Sequence, residues 1–416
     1  MNGRCAFRLA ICGGTGIAFS AAQPAGIMCS VAFPALVLNA KSRREAFYVA
    51  GCYYAGASWP VVTAVRNFFG ADAGICDGIL LWSAAAFLLS SPWLLLWTRE
   101  RRQLCWRAPL CLLLTVVPPM GLIGWASPLT AVGYLFPGTS WFGVLAVMMA
   151  VGSLAAFPKT AASLTVLVAA VANFTYSGPA HQIPWEGINT HFGGISHERT
   201  TALKDLSAAE TIQRLAFASS ARVVVFPEAI VPNWGAATDA FWCGLISQLS
   251  KAGKTIIVGS KISVPAPSAQ FSADDFAASI AILRATRSIP RMPVAPNPAA
   301  SFRNVLIMRG ADKGLFEQRV PVPLGMWKPM NNDGVQLRLT GSGVLSVARE
   351  RAAILICYEQ LLSWPILTSM MAHPTVLVAV ANDYWAGGTT IPEAQLAAVR
   401  AWARLISIPY VSATNL

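Results

Sequence analysis

The chain has 416 residues, 55% of them hydrophobic and 12% charged, with a net charge of +12. That charged share is about half the usual globular one and argues against a fully soluble chain. The bases form no run and are not interleaved with aromatic residues, so direct nucleic-acid binding is not expected.

Charge divides the chain near residue 178: eleven bases and four acids precede it, and twenty bases and fifteen acids follow. The first part holds apolar runs at residues 7–22, 26–39, 46–64, 78–97, 108–127, 141–157 and 160–176. A membrane-crossing helix takes roughly 20 residues, so residues 1–177 read as a transmembrane domain of about seven helices. The first two runs are short and rich in small residues, which also suits a tight hairpin. Pro118 and Pro119 predict a kink in the fifth run.

The bases Lys41–Arg44, Arg99–Arg107 and Lys159 fall between runs two and three, four and five, and six and seven. Basic loops stay cytoplasmic, which places the N-terminus in the cytoplasm and everything after residue 178 on the far side; Arg66 alone departs from the pattern. Ser20-Ala21-Ala22 resembles a signal-peptidase site. Cleavage is not expected there, and it would leave the topology unchanged. Seven of the nine cysteines lie in or beside the apolar runs and read as small hydrophobes. No Cys or His spacing suggests a metal.

The second part, residues 178–416, alternates strands and helices. Strands are predicted at 185–191, 222–226, 255–264, 304–308, 352–356, 375–380 and 410–414, and helices at 202–218, 239–251, 360–371 and 393–406. This order implies a layered α/β domain. Residues 265–301, rich in Pro, Ala and Ser, read as an insertion with a helix-like centre at 274–285.

Chemistry concentrates after apolar strands, where α/β sheets commonly carry their ligands. Glu228 follows the strand at 222–226, Gln318 and Arg319 precede Val320-Pro321-Val322-Pro323-Leu324-Gly325, and Cys357-Tyr358-Glu359 follows the strand at 352–356. A thiolate can attack a carbonyl and hold the acyl group as a thioester, and a carboxylate can take the thiol proton. A backbone N–H and a fixed cation can stabilise the oxyanion. Each residue also has a plainer reading. Cys357 could be a buried strand-end cysteine, Glu228 a helix N-terminal acid, Arg319 a structural or phosphate-facing cation, Glu359 a helix cap, and Asn382 and Asp383 turn residues. Cys243 reads as helix core, and His181, His191, His197 and His373 receive no role.

Taken in order, Phe226-Pro227-Glu228, the Arg319–Gly325 segment, Ile356-Cys357-Tyr358-Glu359, Asn382-Asp383-Tyr384-Trp385 and Ala413-Thr414-Asn415 resemble the nitrilase (carbon–nitrogen hydrolase) superfamily. The apolipoprotein N-acyltransferase branch, in which spans precede the domain, has the nearest pattern. Within the superfamily, Arg319–Pro323 with Met326-Trp327, Ile356–Leu362 with Trp364-Pro365, and Ala401–Leu405 resemble a membrane-anchored branch linked to plasmid conjugal transfer. The resemblance implies an αββα sandwich and a multi-pass bacterial inner-membrane protein with a periplasmic C-terminal domain. It implies acyl transfer from a membrane lipid to an amine, or amide hydrolysis, without a cofactor, and other conjugation proteins as partners. Phe271, Phe276 and Ile280 of the insertion would then line a lipid entrance.

In this reading Cys357 is the nucleophile, Glu228 the base and Tyr358 the oxyanion N–H donor, with Glu359 and Asn382 in support. The family's lysine position falls on Gln318, so the cation passes to the neighbouring Arg319. Met326 stands where the acyltransferases carry Glu. A catalytically impaired envelope component that keeps the fold is the alternative.

Overall fold

The computed structural model describes residues 3–70, 73–179, 181–193, 201–264, 301–330 and 334–416, with the backbone alone for 201–206. The insertion read at 265–301, apart from Ser301, lies outside the described residues, as does His197.

The apolar half is helical: α1 Gly3–Ser20, α2 Pro24–Cys29, α3 Ala32–Leu38, α4 Arg43–Ser58, α5 Val61–Phe69, α6 Ile75–Leu96, α7 Arg101–Leu114, α8 Val132–Leu135, α9 Trp141–Ala156 and α10 Pro158–Thr175. Ser42 starts α4 by accepting the Glu45 N–H at 3.2 Å, while Glu45 accepts the Lys41 N–H at 2.7 Å. The helix pattern differs from seven long runs. Run two divides into α2 and α3, and run three breaks at Trp59-Pro60 into α4 and α5. Run five ends at Leu114 rather than kinking, because the Pro118-Pro119 pair lacks two amide donors and cannot continue a helix. Among the described helices, α6 alone is long and apolar enough to cross a membrane.

The second half forms two sheets. The first runs β1 Trp185–Gly187, β2 Val223–Val225, β3 Thr255–Ser263, β4 Phe302–Gly310 and β5 Gly314–Glu317, in that order. Strands β1 to β3 are parallel, and β4 and β5 antiparallel. The second runs β6 Val344–Val347, β7 Glu350–Ile356, β8 Val376–Asn382 and β9 Tyr410–Asn415, with β7 to β9 parallel and β6 antiparallel.

The two sheets pack face to face. Val225, Ile257, Leu306 and Phe316 of one meet Ile354, Ile356, Val378 and Ala413 of the other in a shared core. The outer face of the first sheet carries α11 Thr201–Ala218 and α12 Ala236–Lys251 through Ile212, Ala216, Trp242 and Leu249. The outer face of the second carries α13 Ser363–Met370 and α14 Ile391–Ile406. The layers therefore run α, β, β, α. Strand residues buried on both faces produce the unbroken apolar runs of the sequence.

The N-terminal helices continue that last layer. Leu355, Ile366, Leu377 and Trp402 share one hydrophobic cluster with Phe33, Tyr53, Trp93 and Val132. Helix α8 lies so close on α14 that a Cβ at Gly133 would stand 1.7 Å from the Ala401 carbonyl oxygen, a contact that only glycine allows. The Tyr134 hydroxyl also donates to the Ala397 carbonyl at 3.0 Å.

Candidate active site

The carboxyl ends of β2, β7 and β8 converge between the sheets. Glu228 follows β2, Cys357 follows β7, and Asn382 and Asp383 close β8. Glu228 is 4% exposed and Cys357 3%. Gly259 on β3 makes room for the first: a Cβ there would lie 2.3 Å from the Pro227 carbonyl oxygen and 2.4 Å from the Glu228 Cα.

The Glu228 carboxylate accepts from the Asn304 side-chain amide at 2.5 Å and from the Asn382 N–H at 3.1 Å. It also lies near the Cys357 thiol, and each group shifts the other's pKa. Burial raises the Glu228 pKa above the ordinary carboxylate value, while Asn304, Cys357, Asn382 and Lys261 pull it back. Burial pushes the Cys357 thiol well up, as do the Glu228 and Asp383 carboxylates; the Tyr358 N–H acts in the opposite sense. The thiol is thus protonated at rest beside a carboxylate shifted toward neutrality, the arrangement a general base requires.

Cys357 has φ +50°. A non-glycine residue in the left-handed region carries backbone strain that must be held by its surroundings. The turn that holds it is short: Cys357–Leu361 forms a 3-10 segment whose Tyr358 N–H faces the sulfur. Glu359, wholly buried, fixes that turn by accepting the N–H groups of Arg319 at 2.7 Å, Val320 at 3.0 Å and Ile356 at 2.9 Å. Burial raises its pKa, and Arg319 and these donors oppose the rise.

Arg319 does not join the Cys357–Glu228 pair. Its guanidinium donates to the Ile354 and Pro365 carbonyls, both at 3.0 Å, and to Thr368 and Ser369, while its Nε lies 3.6 Å from Glu359. These partners lie on β7, α13 and the Cys357 turn, and none of the guanidinium's hydrogen bonds goes to Cys357 or Glu228. Gln318, 1% exposed, does face the site. It accepts from Asn304 at 2.9 Å and donates to the Ile356 carbonyl at 3.2 Å.

Asn382 meets Glu228 through its backbone N–H, and its side chain accepts from Asn415 at 2.9 Å. Asn415 in turn accepts from Thr190 and the Phe192 N–H, both at 2.8 Å, closing the end of the sandwich. Asp383 is pushed up to about 8, by burial first and then by Glu228. Asn304 and Lys261 carry no motif, although alternation placed both on the inner face: Ile257, Gly259 and Lys261 share one side of β3. Cys243, expected in the core, sits exposed on α12. Among the described residues no cluster could hold a metal ion.

Among the described residues, two cavities border the group. One is apolar and lies between α5, α6 and the site, lined by Phe68, Ala85, Trp125, Pro323, Tyr358 and Trp385 among others. The second, about 370 Å³, is more polar and reaches Asn304 and Gln318 beside Arg303, Glu317 and Arg338.

No family model matches the sequence. A probable conjugal transfer protein TraB of Sinorhizobium fredii is 31% identical over 397 residues, covering 93% of this chain and 92% of its own. The conjugal transfer protein TraB of Agrobacterium fabrum is 30% identical, covering 92% of this chain and 86% of its own. Among solved structures, a variant of the Nesterenkonia AN1 amidase from the nitrilase superfamily matches 55% of this chain and 75% of its own at 12% identity and a TM-score of 0.30. A likeness that loose decides nothing about fold or chemistry.

Proposed function

From the premise that the chain belongs to the TraB family of conjugal transfer proteins, we propose that it is a nitrilase-type envelope protein of a plasmid transfer system that forms an acyl thioester on Cys357. The observation that carries this reading is the buried Cys357 thiol, held at a strained strand end against the Glu228 carboxylate.

Glu228 takes the thiol proton as the sulfur attacks the acyl carbonyl. The Tyr358 N–H receives the developing oxyanion. The ester C–O bond breaks, the leaving oxygen takes the proton from Glu228, and the acyl group stays on sulfur. An amine then attacks the thioester and gives its proton to Glu228; the C–S bond breaks, the amide leaves, and the sulfur takes that proton back from Glu228 to re-form the thiol.

The apolar cavity beside Tyr358 suits an acyl chain, and the polar cavity at Asn304 and Gln318 suits the amine. A membrane lipid fits as donor because the walls of the apolar cavity include α6. Anchoring through residues 1–177 is supported by α6 and by apolar side chains left exposed on α9 and α10, such as Phe142 at 81% and Phe174 at 93%. Surfaces of that kind mark contact with lipid or protein. The basic loops favour a periplasmic domain from residue 178 onward.

The test is intact-mass measurement of the full chain taken from its own membrane, beside Cys357→Ala. A hydroxylamine-labile mass increase of acyl size that the variant lacks is the expected result. An unmodified Cys357, in native membrane and with added phospholipid, would sink the acyltransferase reading.

A further inference from the structure

The site as described has a base and a nucleophile, yet both residues from which sequence would draw its cation fail to provide one. Gln318 is neutral, and Arg319 is bound to β7 and α13. The groups facing the Glu228 carboxylate are Cys357 from the end of β7, Asn382 and Asp383 from the end of β8, Asn304 from β4 and Lys261 from β3. Cys357 is a thiol that carries no charge at rest, Asp383 is an acid that repels the Glu228 charge, and the two asparagines are neutral. Lys261 is the one cation of this set among the described residues.

Its position is fixed by register. Lys261 pairs directly with Asn304 across the β3–β4 ladder, so the two side chains emerge as neighbours on the inner face. Asn304 already bridges Glu228 and Gln318 through its amide nitrogen. Its buried Oδ1 accepts no hydrogen bond among the described residues, which leaves an acceptor next to an ammonium. The Lys261 Nζ lies 5.0 Å over the Phe302 ring, a face that holds a cation without discharging it.

We propose that Lys261 is the positive charge of this site, a positioning residue that faces Glu228 beside Asn304 and keeps its carboxylate ionised as the base for Cys357. The charge thus enters from β3 and acts on the base, not from the segment after β5. Burial lowers the Lys261 pKa and Glu228 raises it again, as expected for mutual support. The inference rests on the Cys357–Glu228 reading above.

The experiment follows the rate of Cys357 alkylation by iodoacetamide in the full chain as a function of pH, with exposed Cys243 as an internal reference. Lys261→Met and Lys261→Arg are compared with the unmodified protein. Loss of the charge is expected to move the low-pH midpoint of Cys357 reactivity upward by about one to three pH units, and Lys261→Arg to leave it near the original. Should Lys261→Met fail to fold, Lys261→Gln serves in its place. A midpoint unchanged by the neutral variants would overturn the proposal while leaving the Cys357–Glu228 pair standing. A Cys357 inert at every pH in the unmodified chain would overturn both.

Discussion

The Tyr358 hydroxyl donates to the Leu122 carbonyl at 2.8 Å. The residue whose N–H faces the Cys357 sulfur is thereby tied to the N-terminal half. Tyr358→Phe removes this one bond, worth about 1 kcal/mol, and keeps the N–H. The thermal midpoint is expected to fall slightly, with Cys357 alkylation slowed less than about tenfold. A collapse of reactivity would show that the ring's anchorage, and not the backbone donor alone, sets the site.

Arg319→Met leaves Glu359 buried without its cation. Breaking such a pair typically costs about 3–5 kcal/mol. Denaturant unfolding should show that loss, while the fraction that remains folded alkylates at Cys357 as before. A stable variant with an unreactive Cys357 would return Arg319 to the catalytic group.

Gly259→Ala places a methyl group 2.3 Å from the Pro227 oxygen and 2.4 Å from the Glu228 Cα. The backbone carrying the base must give way. A displacement of that order costs about 10²-fold in rate, measurable as slower Cys357 alkylation at neutral pH; an unchanged rate would mean that β3 can yield without moving Glu228.

Asp383 titrates at about 8 in the fold against an ordinary 3.8, because burial and then Glu228 disfavour its charge. Between those values the folded state binds more protons than the unfolded one, so this group's contribution to stability falls as pH rises. Glu228 and Glu359 are raised as well and act in the same sense. Thermal midpoints taken across that window should decline with pH, and less steeply in Asp383→Asn. An identical slope in the variant would show that Asp383 ionises normally.

Ala85 lines the apolar cavity on the α6 side. Ala85→Phe should fill it, at about 1–3 kcal/mol for a chain that must share the space. Acylation by a long-chain phospholipid should drop roughly tenfold or more, with iodoacetamide alkylation retained. Equal acylation in both proteins would place the acyl chain elsewhere.

Much of the sandwich was legible because its strands are buried on both faces. Val223–Val225, Ala352–Ile356 and Val376–Val380 read as unbroken apolar runs, and the structure makes each a strand in the core. Short β6, Val344–Val347, escaped notice because its half-buried residues carry no such run. Helix 360–371 was read as one element, but the turn that strains Cys357 ends at Leu361 and α13 begins only at Ser363.

Sequence alone determined which residues are chemically able to act: a Cys, a Glu and their strand-end positions are local facts. It could not decide which cation serves them. Lys261 lies far before Gln318 and Arg319 in the chain, and nothing in their order shows which one faces Glu228. Just past the end of β5 the chain turns Gln318 toward the site and Arg319 toward α13, and the β3–β4 register sets Lys261 beside Asn304. Electrostatics acts through distance and burial, and both are set only when the two sheets close on each other.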